Sequence, residues 1–206
     1  MAAARGSAIF VHPQALCESE EVGRGTRVWA FAHVMAGAVV GENCNICDHV
    51  FIESGAQVGN RVTVKNAVLI WDRVVVEDDV FLGPNMVFTN DLVPRAAVRK
   101  RNDELLATVV RRGATIGANA TVVCGIVIGA HSFVGAGAVV VKDVPAHALV
   151  LGSPATWRGW VCECGSRLDG DLRCTCGRGH QLADDGSGLQ QTGPTAGDSR
   201  LSPVYW

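Results

Sequence analysis

The chain has 206 residues, 48% of them hydrophobic and 18% charged, enough core material for one substantial domain and too much for a wholly disordered chain. A formal net charge of -2 gives no general attraction to nucleic acid or an anionic membrane, so small molecules and proteins are the expected partners. No apolar stretch is as long as a membrane-spanning helix, and the opening MAAARGSAIF lacks the apolar segment of a secretory signal, so a cytoplasmic protein is expected.

From the N-terminus the chain carries a period of six. Stepping by six from Phe10 gives Leu16, Val22, Val28, Val34, Val40, Ile46, Ile52, Val58, Val64, Ile70, Val76, Leu82 and Phe88, all apolar. Glycine follows the apolar residue at Gly23, Gly41, Gly59, Gly83, Gly117, Gly129 and Gly135, and alanine often precedes it by two, as at Ala32, Ala38 and Ala56. Six residues fit neither the helical nor the strand repeat. They fit a parallel β-helix in which each hexapeptide supplies one short strand, three make a triangular coil, and apolar residues eighteen apart stack inside, as Val28, Ile46, Val64 and Leu82. The glycines are expected at turns that a Cβ would penalise.

Residues 91–109, DLVPRAAVRKRNDELLATV, interrupt the repeat with Pro94 and the charged run Arg99 to Glu104. A projecting loop is expected, and loops that leave a regular solenoid commonly carry function. The repeat resumes in a shifted frame at Val110, Ile116, Val122, Ile128, Val134 and Val140. Beyond Val140, VKDVPAHALVLGSPATWRGW loses the period and the β-helix is expected to stop. The domain therefore spans 1–160.

Residues 161–182 contain CECGSRLDGDLRCTCG, two cysteine pairs each followed by glycine. Cys162, Cys164, Cys174 and Cys176 are expected to hold a structural zinc ion in a small ribbon, although the C-x-C spacing is shorter than the usual C-x-x-C knuckle, and His180 is a substitute ligand. A metal-free hairpin is the plain alternative. From 183 to 206 the composition is that of a flexible tail.

The stretches GTRVWAFAHV, VEDDVFLGPNMVFTND with PRA, GATIGANATVVCG and VGAGAVVVKDVPAHALVLGSPA resemble the hexapeptide-repeat acyltransferases over residues 8–160. Within these they look like the bacterial nucleotide-sugar N-acetyltransferases, particularly those acting on the 3-amino group of a UDP-linked diaminoglucuronate. The resemblance implies an all-β, left-handed parallel β-helix, a homotrimer with sites between subunits, and acetyl-CoA as co-substrate.

By the same resemblance, Asn90 holds the acceptor amine for direct attack on the thioester; Asn85 and Asp91 are candidate acceptor contacts, and the charge of Arg95, Arg99, Lys100 and Arg101 suits a nucleotide diphosphate or a sugar carboxylate. Gly135, Ala136 and Gly137 let pantetheine approach the backbone, Lys142 meets a CoA phosphate, and Gly152, Ser153 and Pro154 shape the adenine end. Asn90 as a turn former and Arg99, Lys100 and Arg101 as a solvated run are the structural alternatives.

His33 is expected to face outward, as a base, a sugar contact or a packing residue. As a base it would favour an O-acetyltransferase of a sugar or antibiotic. A non-enzymatic interaction scaffold is the other reading. His49 and His131 are expected at corners in structural roles, Glu77, Asp78 and Asp79 in corner hydrogen bonds, and His12 and His147 in no constellation. The histidines show neither the close pair nor the eighteen-residue relation that a three-histidine zinc hydratase would need.

Overall fold

The computed structural model describes residues 8–98 and 100–192. Among these residues, strands of two to five residues stack into three sheets of nine, seven and five strands, parallel except for one antiparallel edge strand in the first. The chain visits the sheets in rotation, forming a solenoid of triangular section. The ladder of Val28, Ile46, Val64 and Leu82 pairs rung by rung and continues through Ile116, Val134 and Val150. Val28, Ile46, Val64, Leu82, Ile116 and Val134 are fully buried, as is the alanine two before many inward residues. Such aliphatic columns supply the main driving force of the fold.

The first coil departs from the expected frame. Val11 and Cys17 stand over Val28 and Val34, while Phe10 and Leu16 pair with Arg27 and His33 and face outward, 42% and 52% exposed. The turn before Val22 is one residue short. Since side chains alternate along a strand, a one-residue slip exchanges the faces. From Val22, bridged to Val40, the frame holds.

The glycines that follow inward residues serve close approach more than turning. A Cβ on Gly41 would lie 2.6 Å from the Gly59 carbonyl carbon, and one on Gly117 2.5 Å from the Ala136 nitrogen. Left-handed corners are occupied by other glycines and by Phe31, Asn43, His49, Arg61, Asp79, Asn85, Asn119 and His131 among others. Polar side chains support these corners. Asp78 accepts the Asn60 amide at 2.8 Å, Glu77 accepts that of Arg112 at 2.9 Å, and Arg61 forks onto Asp79.

Val76 pairs with Val110 across thirty-four positions instead of eighteen, so sixteen residues leave the wall between these rungs. The stacking also runs past Val140, contrary to the expected stop. Ile128 bridges Val144 and Val134 pairs with Val150, because the hexapeptide after Val140 has lost two residues and the period then resumes. Ala148–Leu151 then turns back into the antiparallel strand Thr156–Trp160, which ends the first sheet.

The cysteine segment folds as two equivalent knuckles. Val161 bridges Arg167 and Arg173 bridges Gly179. In each, the glycine amide returns to the first cysteine carbonyl: Gly165 to Cys162 at 2.8 Å, Gly177 to Cys174 at 2.9 Å. The stretch expected as tail begins with structure, since Leu189–Thr192 pairs with Gly179–Leu182. Residues 193–206 of that stretch lie outside the described residues. Among the described residues, no helix is long and apolar enough to cross a membrane.

Candidate functional site

Most site candidates gather on and beside the outer face of the second sheet. Its outward ladder runs Leu16, His33, Phe51, Leu69, Val87, Thr121 and Val139. On the rung of Val87–Phe88, Asn85 stands exposed on one corner and half-buried Asn90 follows the strand at the other. Asn85 holds φ 57° there, with its amide bonded to the Asn66 carbonyl at 3.0 Å. Short polar side chains tolerate that conformation better than branched ones do.

Asn90 opens the loop. Its carbonyl accepts the Leu106 amide at 3.1 Å, closing the loop at its base, and the preceding Thr89 hydroxyl accepts the Cys124 amide at 3.0 Å. Trp71 donates its ring N–H to the Phe88 carbonyl at 2.8 Å, so the rung is tied from both neighbours. Asp91 caps the Val93 amide at 2.8 Å and pairs with Lys100. That lysine, with the amide bond, holds the Asp91 carboxyl below the usual carboxylate range. Arg95 is exposed, its guanidinium donating to the Pro94 carbonyl at 3.2 Å, and Arg101 pairs with Asp103. Arg99 lies outside the described residues.

The donor-side candidates surround the last rung. Asn85, Asn119 and Gly137 stack along one edge, each amide bonded to the coil before. Gly135 is buried while Ala136 and Gly137 are exposed, and the space where a Gly137 Cβ would stand is open. The turn Gly152, Ser153, Pro154 flanks Val139, whose amide reaches the Gly152 carbonyl at 3.0 Å and whose carbonyl accepts the Ala155 amide at 2.7 Å. Lys142 edges a cavity of about 370 Å³ with Val140, Val144, Val150, Trp157 and Trp160.

His33 stands apart from this group. It lies three rungs before the rung that leads into Asn90, about 14 Å along the solenoid axis at roughly 4.8 Å per rung. It bonds the Glu18 carboxylate at 3.0 Å and meets Phe51 edge-on.

The four cysteine sulfurs lie within 4.8 Å of one another, with Cys162 to Cys176 at 3.7 Å and Cys164 to Cys174 at 3.5 Å. Four thiolates around zinc at roughly 2.3 Å form a tetrahedron with edges of about 3.8 Å, so the donor set fits such an ion. His180 does not join them. It turns towards the solenoid and packs edge-on against His147, which stacks on His131, with ring centres 5.0 and 5.1 Å apart. His147 therefore belongs to a constellation that the sequence reading did not foresee. Residues 131, 147 and 180 share no regular spacing, and only the shortened last coil and the knuckles bring them together.

His147 is 4% exposed and gives its Nδ1 to the Val161 carbonyl at 2.9 Å. Burial, reinforced by His131 and His180 and partly offset by that carbonyl and Glu163, lowers its pKa from 6.5 to about 4. The unfolded chain then takes up this proton more readily than the fold. Stability is expected to fall by roughly 2 to 3 kcal/mol as pH drops from about 6.5 to 4. Urea unfolding of the protein and His147→Gln across that window checks this: a slope equal in both would remove His147 as the cause.

The repeat-built solenoid, with its sixteen-residue interruption beside Asn90, is the frame of a known family of transferases. Residues 21–54 match the family described as bacterial transferase hexapeptide (six repeats). The chain is 49% identical over 178 residues, 85% of its length and 92% of the relative's, to dTDP-3-amino-3,6-dideoxy-alpha-D-galactopyranose 3-N-acetyltransferase of Aneurinibacillus thermoaerophilus. The chain belongs to the hexapeptide-repeat N-acetyltransferases of nucleotide-linked amino sugars, and it is an acyltransferase.

Among solved structures, a variant of GDP-perosamine N-acetyltransferase from Caulobacter crescentus, in complex with CoA and GDP-perosamine, superposes with a TM-score of 0.50 at 25% identity. The match covers 75% of this chain and 58% of that one. A hexapeptide-repeat acetyltransferase of Vibrio cholerae complexed with acetyl-CoA gives 0.53 at 25% identity, covering 60% and 70%.

Proposed function

We propose that the protein transfers an acetyl group from acetyl-CoA to the 3-amino group of a dTDP-linked deoxy sugar. The near full-length 49% identity to an enzyme named for that reaction carries this reading. The sequence resemblance pointed to a UDP-linked diaminoglucuronate. The relative's acceptor instead has a different nucleotide and no carboxylate, so Arg95 and the loop cations have only phosphates to meet.

The amine attacks the thioester carbon, a tetrahedral oxyanion forms, and its collapse breaks the C–S bond, the departing CoA thiolate taking up the proton that the nitrogen loses to give the free thiol. Asn90, able to accept from the amine through its side-chain oxygen, orients the lone pair, and Asn85 on the same rung supports the sugar ring. Asp91 acts through Lys100, keeping the loop seated. The donor lies along the edge of Gly135, Ala136 and Gly137, with Lys142 and the Gly152, Ser153, Pro154 turn at its nucleotide end. O-transfer with His33 as base loses support from the rung separation. The winding is left-handed and the working unit a trimer, whose neighbouring subunit completes the cleft over the second-sheet face. Zinc, held by Cys162, Cys164, Cys174 and Cys176, has a structural part.

Incubation with acetyl-CoA and the dTDP-linked 3-amino-3,6-dideoxygalactose is expected to release free CoA thiol and add one acetyl group to the sugar, with light scattering giving three subunits. Thiol release with a hydroxy sugar but none with the amine would sink the reading.

A further inference from the structure

We propose that the four-cysteine centre is the buckle of a strap that closes the C-terminal end of the solenoid, so that a thiophilic divalent cation, zinc in particular, governs the order of the last coil. This rests on the four-thiolate site argued above.

A solenoid of stacked coils leaves its last apolar layer open unless something covers it. Here that layer is Val140, Val144 and Val150, and the cover is the strand Thr156–Trp160 with the residue before it. Buried Ala155 joins the core cluster and Trp160 packs against it. The same strand pairs with Ala148–Leu151, protecting the sheet edge.

That strand runs without a break into the first knuckle. Val161 donates its amide to the His147 carbonyl at 2.8 Å, and Leu168 donates to the Trp160 carbonyl at 3.0 Å. Arg167 adds a bond to the Arg158 carbonyl at 2.8 Å. The second knuckle returns to the same coil from the other side. His180 packs on His147, and the hairpin after it exchanges bonds with Ala146: Ala146 to the Ser187 carbonyl at 2.8 Å and Leu189 to the Ala146 carbonyl at 3.1 Å. A Cβ on Gly188 would stand 2.4 Å from the Ala146 oxygen, so this seat takes glycine alone.

The sulfur cluster joins the two knuckles at their tips, beside the Asp169–Arg173 backbone bond at 3.1 Å and the Arg178–Glu163 ion pair at 3.9 Å. Both ring nitrogens of His180, 6% exposed, lack a hydrogen-bond partner among the described residues, where the side chain holds the cap by ring packing alone. The module's buried apolar residues are few, chiefly Val161 and Leu189, and domains this small fold on their metal. The hairpin turn Gly152–Pro154 lies at the other end of the strap, which extends the clamp to the donor-side edge.

The test is hydrogen exchange on the full chain, zinc-loaded and then stripped by a chelator under reducing conditions. On stripping, amides of Ala146, Ala155, Val161 and Leu189 are expected to exchange at least about ten-fold faster. Those of the Phe81–Leu82 rung should not change, and added zinc should restore the first set. In the loaded protein, Trp160→Ala should speed exchange over 140–150 while leaving one zinc bound. Binding of one zinc with identical exchange in both forms would overturn the buckle and leave the thiolate site standing. A chain that takes up no zinc on titration overturns both, and neither result touches the acetyl-transfer reading.

Discussion

Replacing Asn90 with alanine is expected to lower acetyl transfer about a hundred-fold while acetyl-CoA affinity stays within roughly two-fold, a loss of about 2.7 kcal/mol confined to the reaction step. The asymmetry follows from position. Asn90 sits at the mouth of the loop on the rung of Val87–Phe88, whereas the donor-side residues Gly137, Lys142 and Gly152 gather around the rung of Val139–Val140, two strands further along. Its backbone carbonyl, which holds Leu106, survives the change, so the loop base stays closed. Steady-state kinetics with the amino-sugar acceptor, beside calorimetry with CoA, separates the two terms. Turnover within a few-fold of the parent would remove Asn90 from the reaction and leave it the loop-forming residue that its hydrogen bond already describes.

Phe88→Ala should cost about 3 to 5 kcal/mol of stability, the larger effect of the two. Phe88 is among the largest fully buried side chains, 1% exposed in the middle of the second-sheet ladder, with a backbone carbonyl that anchors Trp71. Coils stacked at strand spacing share their backbone hydrogen bonds with the rungs above and below, so the wall has little room to collapse into the void. Its neighbour Val87 points outward at 42% exposure, and Val87→Ala should cost less than about 1 kcal/mol. Urea midpoints of the two variants give the contrast. Equal losses would mean that the alternation of faces at this rung is wrong.

The fold was legible because its determinants are local and repeated. A buried Val or Ile, a preceding Ala and a following Gly recur at fixed spacing, and stacking identical rungs makes each position's environment the same as that eighteen residues away. Legibility failed where the count changed. One residue missing before Val22 turned Phe10 and Leu16 outward, and two missing after Val140 hid a coil that continues to Leu151.

The site was legible to a smaller degree. The interruption after Phe88 and the cysteine pairs announced themselves as breaks in pattern. The period alone fixes the rotation of strands among three faces, and so puts Asn85 and Asn90 on opposite corners of one rung.

Other relations needed coordinates. His33 and Asn90 both read as candidates in the chain, yet rung order separates them. Asp91 looks free in the sequence but is bound by Lys100 across the loop. His131, His147 and His180 have no spacing to betray their stack, and Trp160 gives no sign that it lies over the last apolar layer. The solenoid follows from the order of residues alone, because its contacts repeat at one period. How the chain leaves that solenoid and closes its end emerges in three dimensions, because those contacts join segments whose separation follows no period.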